Sequence, residues 1–540
     1  MPIKLKSQNF ISKIIFSLWL LLILISLFLM KDDILNILLF KKRYIRLLEL
    51  LTIMAIFCEG LFFKYIFHRW TIRKKAFTLF IIALIVRLIF LPLGKYVPSS
   101  DFSNYYLGAC HFVNTGFSGG TYPGLEGYDI PSFALQAVIN GFFLNILSPT
   151  LLGMQLLNSI YTAGICFMLF LLGKNINEKA AITASIFYTF YPCSILSAQI
   201  TSNHHGAAFF ILLGIYLFFA EFKHEKASKR LVYLLTSAVC LVISNYYHPS
   251  VIIVLCAFGA YMFIYELEKY ICHPKSFFKN LLQDIKNFDG IFLPVIVLFT
   301  LYLCIWTSTM AALKNSGYIQ NTSTMSLLSK VAVGFNFETG GAYSKDVYDY
   351  VRSYPKEEQN RESLRFVQTQ IKENGITNTM ELMLQKNQRA WFGTDNYFFF
   401  YQAGVQNELT EKIENADNPI LKADYENELT AFKYFITDIS VANSLFNYFI
   451  WFLAFIGIIA VLRKYNSNHP IYLLMYIPFG WMLFIMISEM QPRYRYQGMT
   501  VITLAAGIGF ETLRHWFVTM KHNLPGSPKS ADCPCQTQKS

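Results

Sequence analysis

Four short polar clusters interrupt an otherwise apolar chain, and each carries groups able to move a proton or hold an anion. The first is Ser100-Asp101-Phe102-Ser103-Asn104-Tyr105-Tyr106. Asp101 can cap a helix, act as a base or ligate a metal. The second is Tyr128-Asp129-Ile130-Pro131. Proline suits a first helical turn, a preceding carboxylate can cap it, and an open helix N-terminus can also hold phosphate. The third is Gln199-Ile200-Thr201-Ser202-Asn203-His204-His205, joined by Asn245-Tyr246-Tyr247-His248-Pro249. Adjacent histidines face different sides of a helix, so at most one of His204 and His205 serves a shared site. Neutral imidazole can ligate a divalent metal, and imidazolium can bind phosphate. The fourth is Glu489-Met490-Gln491-Pro492-Arg493-Tyr494-Arg495-Tyr496. A forked guanidinium matches phosphate, and the tyrosines suit a headgroup level or a sugar face. An interface anchor is the plainer alternative for that cluster.

The elements that position these clusters are apolar stretches long enough to cross a hydrocarbon layer of ~30 Å. Residues 11–30 (ISKIIFSLWLLLILISLFLM) set the type. Eleven more stretches follow, at 46–66, 76–94, 151–173, 180–198, 205–221, 231–247, 250–266, 289–309, 441–461, 470–489 and 497–513. With 54% hydrophobic residues distributed this way, one helical bundle absorbs most of the chain. The expected fold is an all-α polytopic membrane protein with about twelve transmembrane helices and outer-face loops.

Charge orients the bundle. Lys174 and Lys179, Lys223 to Arg230, Lys269 to Lys279, Arg463 and Lys464, and Arg514 and Lys521 fall in links that share one face if both termini are cytoplasmic. Lys41, Lys42, Arg43 and Arg46 break this pattern, either as an interfacial helix or because the first helix pair is wrongly assigned. Residues 131–148 are apolar but short, and counting them as a crossing would invert every later link. They are read as a helix lying at the outer surface. All four polar clusters then meet on the outer face.

The expected organisation is membrane helices at 1–75, a membrane core at 76–309 with an outer loop 95–150, a large outer segment or small domain at 310–440, closing membrane helices at 441–515 and a cytoplasmic tail at 516–540. The acidic run Glu408 to Glu428 reads as a solvated helical face. The net charge of +12 does not indicate nucleic acid, because most of the basic residues lie in links between apolar stretches. Cys533-Pro534-Cys535 is weak as a metal or redox pair. The first span lacks a small-residue cleavage site before Lys31-Asp32-Asp33 and is read as retained.

These residues, in this order and with this sidedness, resemble the membrane glycosyltransferases that use polyprenyl-phosphate sugars. That group has the GT-C fold and includes the protein O-mannosyltransferases (glycosyltransferase family 39) and the bacterial aminoarabinose transferases. The resemblance covers about residues 76–513 and leaves the first seventy residues outside. It is carried by Asp101-Phe-Ser-Asn-Tyr105-Tyr-Leu-Gly108-Ala109, by Tyr128-Asp129-Ile-Pro131, by Tyr191-Pro192 through Asn203-His204, by His248-Pro249 and by Gln491-Pro-Arg493-Tyr494-Arg495-Tyr496. The chain has Ile130 where the aminoarabinose transferases carry a phosphate-binding lysine, and Ser132 where they have a second proline. That departure weighs against their lipid-A-modifying specificity. His248 replaces the family's arginine, and Asn203 or His204 stands where an acidic residue is common. Gly334 to Asp346 and Trp391 to Asp395 are similar to strings in bacterial relatives, without an assigned role.

The resemblance implies transfer of a sugar from a polyprenyl-phosphate donor to a hydroxyl on a glycan, lipid or protein, with inversion, at the outer face of a bacterial plasma membrane. Asp101 and Asp129 become the candidate catalytic carboxylates. Arg493, Tyr494 and Arg495 become the donor-phosphate residues, with Arg493 favoured. Tyr105, Tyr128, Asn203, His204 and His248 become sugar or acceptor contacts. The resemblance fixes no cofactor; Asp101 and His204 could help hold a divalent metal. Membrane lipids are expected partners and nucleic acid is not. The rivals are a transporter or flippase of lipid-linked sugars, which should show mid-membrane polar residues and broken helices, and a non-catalytic assembly subunit.

Overall fold

A chain with this many apolar stretches must satisfy its backbone polar groups within each segment, and helices do that. In the computed structural model every regular element among the described residues is helical. These residues are 10–29, 31, 53–54, 56–67, 69–91, 97–126, 132–272, 274–275, 277–287, 290–319, 327–393, 396–465 and 469–523. The basic stretch Lys41–Arg46, the Tyr128–Pro131 cluster with Asp129, and Cys533–Cys535 lie outside them.

The helices in chain order are α1 (Phe10–Leu29), α2 (Ile72–Phe90), α3 (Ser100–Thr115), α4 (Ser132–Leu147), α5 (Leu151–Gly173), α6 (Glu178–Phe190), α7 (Pro192–Ser197), α8 (His204–Glu221), α9 (Ala227–Tyr247) and α10 (Val251–Cys272). There follow α11 (Phe277–Asn287), α12 (Phe292–Asn315), α13 (Leu327–Gly334), α14 (Lys345–Arg352), α15 (Lys356–Phe392), α16 (Asn396–Glu414), α17 (Pro419–Lys464), α18 (Ile471–Ile487) and α19 (Tyr496–Asn523). Seven of the described helices are long and apolar enough to cross a membrane: α1, α5, α8, α9, α10, α12 and α17. The other expected spans differ for visible reasons. The second is only partly described and ends in a π-helical turn, Phe62–Phe67. Helix α2 starts four residues earlier than expected, capped by Thr71, and draws Lys75 out of the link. Helix α18 has 17 residues. Helix α19 runs on past Arg514 into polar sequence.

The stretch 180–198 is a correction. It is two helices, broken at Tyr191-Pro192, because proline has no N–H to continue the ladder. The break frees carbonyls in the bundle interior, and Arg87 of α2 takes them. Its guanidinium donates to Ala83 O at 3.0 Å, Thr189 O at 3.2 Å, Tyr188 O at 3.2 Å, Ser194 Oγ at 3.0 Å and Thr162 Oγ1 at 3.0 Å. An arginine with no exposed surface is tolerated there because every donor it has finds an acceptor.

The links sort to two ends. At one end Lys75 pairs with Glu178 at 2.6 Å, and Tyr465 Oη donates to Ile176 O at 3.2 Å. Lys174, Lys223, Lys226, Lys269, Lys464 and Arg514 gather there, at the helix ends and links the charge pattern assigned to one face. At the other end lie the starts of α3, α8, α10 and α19. Helix α1 is packed into this bundle with Trp19 fully buried. Its Ser12 amide donates to Glu268 at the basic end, 3.0 Å away, and Asn387 donates to its Ser26 hydroxyl at the opposite end, 3.2 Å away.

The segment 310–440 is helical rather than a plain connection. The 46-residue helix α17 carries its last part straight through position 440 into the bundle. The acidic run falls on α16 and the start of α17, with Glu408 paired to Lys412 at 2.5 Å. Helix α4 packs along α3, α9 and α5, joined to α9 by a bond from Tyr247 Oη to Asn140 Oδ1 of 2.7 Å.

Candidate functional site

Asp101 lies in the first turn of α3, after Ser99 at the N-cap position. Ser99 holds the N-cap position without a side-chain capping bond, and Asp101 lies inside the first turn rather than at the cap. Ser100 before it has φ 53°, a left-handed conformation that is uncommon without glycine and that marks strained backbone next to the site. The Asp101 carboxylate meets Arg493, whose Nη2 donates to Oδ2 at 2.8 Å across 392 residues of sequence. The arginine side chain is 10% exposed and the aspartate 25%, so the pair is largely screened from water but not sealed.

Arg493 sits in the one-turn 3-10 helix Pro492–Arg495 that leads into α19. Its guanidinium lies 5.4 Å from the Phe102 ring centre and 5.5 Å from that of Phe400, so two aromatic faces support the charge. Burial works against that charge, but Tyr494 and Asp101 outweigh it and hold its pKa above normal. Tyr105, one turn after Asp101, is buried edge-on to Phe133 at 5.3 Å.

The histidines divide as their spacing requires. The His204 and His248 rings meet at a tilt, 4.4 Å between centres, and both lie near Tyr494, at 6.1 and 5.6 Å. Gln497 Nε2 donates to His204 Nδ1 at 2.9 Å. Burial, then Lys330 and Arg493, push the pKa of His248 well below the usual value, so it rests neutral. His205 faces elsewhere, donating through Nε2 to Ser197 O at 2.7 Å.

Two expected site residues are committed to backbone. Asn203 Nδ2 donates to Tyr247 O at 2.6 Å, closing the end of α9. Arg495 donates to Ala390 O at 2.9 Å and Gly393 O at 3.2 Å, capping the end of α15 as cations do at helix C-termini. Asp101, Arg493, Tyr494, His204 and His248 thus come together with Tyr105 beside them, while Asn203 and Arg495 brace the surroundings. Among the described residues no group of three or more His, Cys, Asp or Glu side chains is placed to share a metal ion. Arg493 supplies the positive charge beside Asp101.

The long segment 310–440 contributes residues that the sequence reading did not single out. Lys330 of α13 places its amine 5.5 Å from the Tyr494 ring centre. Burial opposes its charge, yet Tyr494 and Glu489 raise its pKa. Glu489 is buried and accepts from Tyr348 Oη of α14 at 2.6 Å and from Gln491 Nε2. Ser202 Oγ and Tyr397 Oη lie 2.9 Å apart, and Thr201 Oγ1 donates to Phe102 O at 2.6 Å.

Backbone bonds join this segment to the arginine turn. Glu489 N–H donates to Lys330 O at 2.7 Å and Met490 N–H to Gly341 O at 2.8 Å. Glycines permit the approach. A Cβ on Gly334 would stand 2.4 Å from the Ser488 carbonyl carbon, and Gly340 and Gly341 turn the chain with φ 60° and 74°. Lys386 locks the junction, donating to Gly334 O at 2.8 Å and Met486 O at 2.9 Å. Its burial lowers its pKa to about 7. The Gly334–Gly341 string is therefore a packing turn that holds the site together. Trp391 serves packing as well, edge-on to Trp451 at 5.5 Å.

No family model and no curated protein matches the chain. Among solved structures it is similar to the archaeal oligosaccharyltransferase AglB from Archaeoglobus fulgidus in complex with an inhibitory peptide and a dolichol-phosphate, with TM-score 0.42 and 12% identity over 86% of this chain and 52% of that one. The apo form of the Archaeoglobus fulgidus oligosaccharyltransferase gives TM-score 0.39 and 10% identity over 83% and 52%. The form tethered to an acceptor peptide gives 0.41 and 12% over 83% and 51%. The chain spans about half the length of these structures.

Proposed function

We propose that this chain is a GT-C-type membrane glycosyltransferase that transfers a sugar from a polyprenyl-phosphate donor to a hydroxyl acceptor at the outer end of the bundle. The observation that carries this reading is the ion pair between Asp101 and Arg493, reached from distant parts of the chain and bordered by Lys330, Tyr494 and the adjoining His204 and His248 rings. A base held on a phosphate-matching cation suits displacement at a sugar carbon whose leaving group is a phosphate. The donor phosphate takes the guanidinium and frees the carboxylate. The acceptor oxygen bonds to the sugar carbon as the carbon–oxygen bond to phosphate breaks, with inversion. Asp101 receives the hydroxyl proton, and Arg493 stabilises the charge that develops on the departing phosphate.

The transporter reading draws on the broken α6–α7 helix and on Arg87 at mid-bundle. Both are accounted for by closure rather than by a path, since Arg87 is fully buried and spends its donors on the carbonyls and hydroxyls around the break.

Incubating purified protein with a polyprenyl-phosphate monosaccharide and, separately, with nucleotide sugars should show consumption of the lipid donor alone by mass spectrometry. Turnover of a nucleotide sugar without lipid would reject the proposal. Orientation has its own test. Ser118 lies on the site side and Lys226 in a basic link, both exposed. In intact cells an impermeant thiol reagent should label Ser118→Cys at once and Lys226→Cys only after permeabilisation, measured against unsubstituted protein. The reverse order would overturn the outward placement.

A further inference from the structure

Lys330 has features that packing alone does not explain. Its backbone is pinned by the bond from Glu489 N–H, and its amine is held over the Tyr494 ring. It makes no ion pair among the described residues. The nearby carboxylate of Glu489 has one oxygen bonded by Tyr348 and the other by Gln491. Lys330 is half-buried and has the Tyr494 phenol but no carboxylate in contact, so part of its charge is uncompensated, a cost that an incoming anion removes. Arg493 approaches the same ring, with Cζ 6.0 Å from its centre. Two cations therefore share one phenol, and only one of them touches a carboxylate. Arg493 Nε and His248 Nδ1 also have no hydrogen-bond partner among the described residues, so polar positions stay open around this ring. Arg493 is 9% exposed, which makes its open Nε a buried one.

We propose that Lys330 is a second phosphate-contacting residue, sharing the donor's phosphate with Arg493. This rests on the lipid-phosphate reading above. Arg493 alone would leave its charge divided between Asp101 and the phosphate. With Lys330 on the phosphate, Arg493 can leave Asp101 without loss of total attraction for the donor. The amine reaches the site from α13, so the segment 310–440 supplies part of the donor site as well as framing it.

The test uses two lipids that differ only in charge, polyprenyl phosphate and the uncharged polyprenol, bound to full-length protein in detergent or nanodiscs. Wild-type protein should prefer the phosphate. Lys330→Gln should weaken phosphate binding about tenfold or more and leave polyprenol binding unchanged. Lys330→Arg should restore most of the preference, and the thermal unfolding midpoint reports that each variant folds. If Lys330→Gln is unstable, Lys330→Arg and Lys330→Met are compared with wild type for the same preference. A neutral variant that keeps the full preference overturns the role of Lys330 and leaves the function reading standing. Wild-type protein with no preference for the phosphate overturns the reading itself, and this inference with it.

Discussion

Asp101→Asn protein should turn over at least ~10²-fold more slowly than wild type while binding the lipid donor as well or better. Both halves follow from the ion pair. A carboxamide has nearly the same size but cannot accept the acceptor's proton, so the loss falls on the chemical step. The same change removes the anion that competes with phosphate for Arg493, so donor affinity should hold or rise. A purely structural role for the pair would lower affinity and rate together. Donor binding and single-turnover rates on one preparation separate these outcomes. Wild-type turnover by folded Asp101→Asn would remove Asp101 as the base and move that role to Asp129 or to a residue of the 310–440 segment.

Arg493→Ala should fail in the other direction, losing donor affinity and turnover together. Deleting a preorganised cation from the position where leaving-group charge develops costs about 10²–10³ in rate. Ground-state binding should fall too, because in the proposed mechanism the guanidinium bonds the phosphate before and after transfer. Arg493→Lys should recover only part of the loss, since an ammonium lacks the planar fork. The variant carrying both Asp101→Asn and Arg493→Ala should be less impaired than the product of the single effects, because the two residues are in direct contact. Independent, multiplying effects would show that the pair does not act as a unit. Removing Arg493 also opens a gap between Phe102 and Phe400, so circular dichroism and monodispersity must accompany the kinetics.

Much of this architecture is legible in the sequence because membrane insertion imposes coarse rules on composition. The apolar lengths mark the long helices, and the lysine-rich links mark one end. Residue type alone marks Asp101 and Arg493 as candidates. What the sequence cannot express is their meeting, since no local pattern links positions 392 residues apart. Nor does it separate Arg493 from Arg495, which share one short turn and differ in what surrounds them, a carboxylate for the first and the carbonyls of Ala390 and Gly393 for the second. Asn203 is ambiguous for the same reason, because an asparagine closing a helix end and one reading a sugar are the same letter. Lys330 carries no local signal either, being one lysine in a long polar segment. Two features do bear on closure of the bundle. Arg87 inside an apolar stretch asks which groups bond it. Tyr191-Pro192 asks whether 180–198 can be continuous.

The distance between the partners of the ion pair has a consequence for how the protein is made. At roughly 5–20 residues per second, the ribosome needs roughly 20–80 s to pass from Asp101 to Arg493. Over that interval the spans between α3 and α18 enter the membrane with the carboxylate at the head of α3 and no guanidinium to meet it. The pair forms when the last arginine turn emerges and docks, late in synthesis. A chain stalled before that turn therefore holds the carboxylate without its cation, so a half-made chain in the membrane cannot assemble the site.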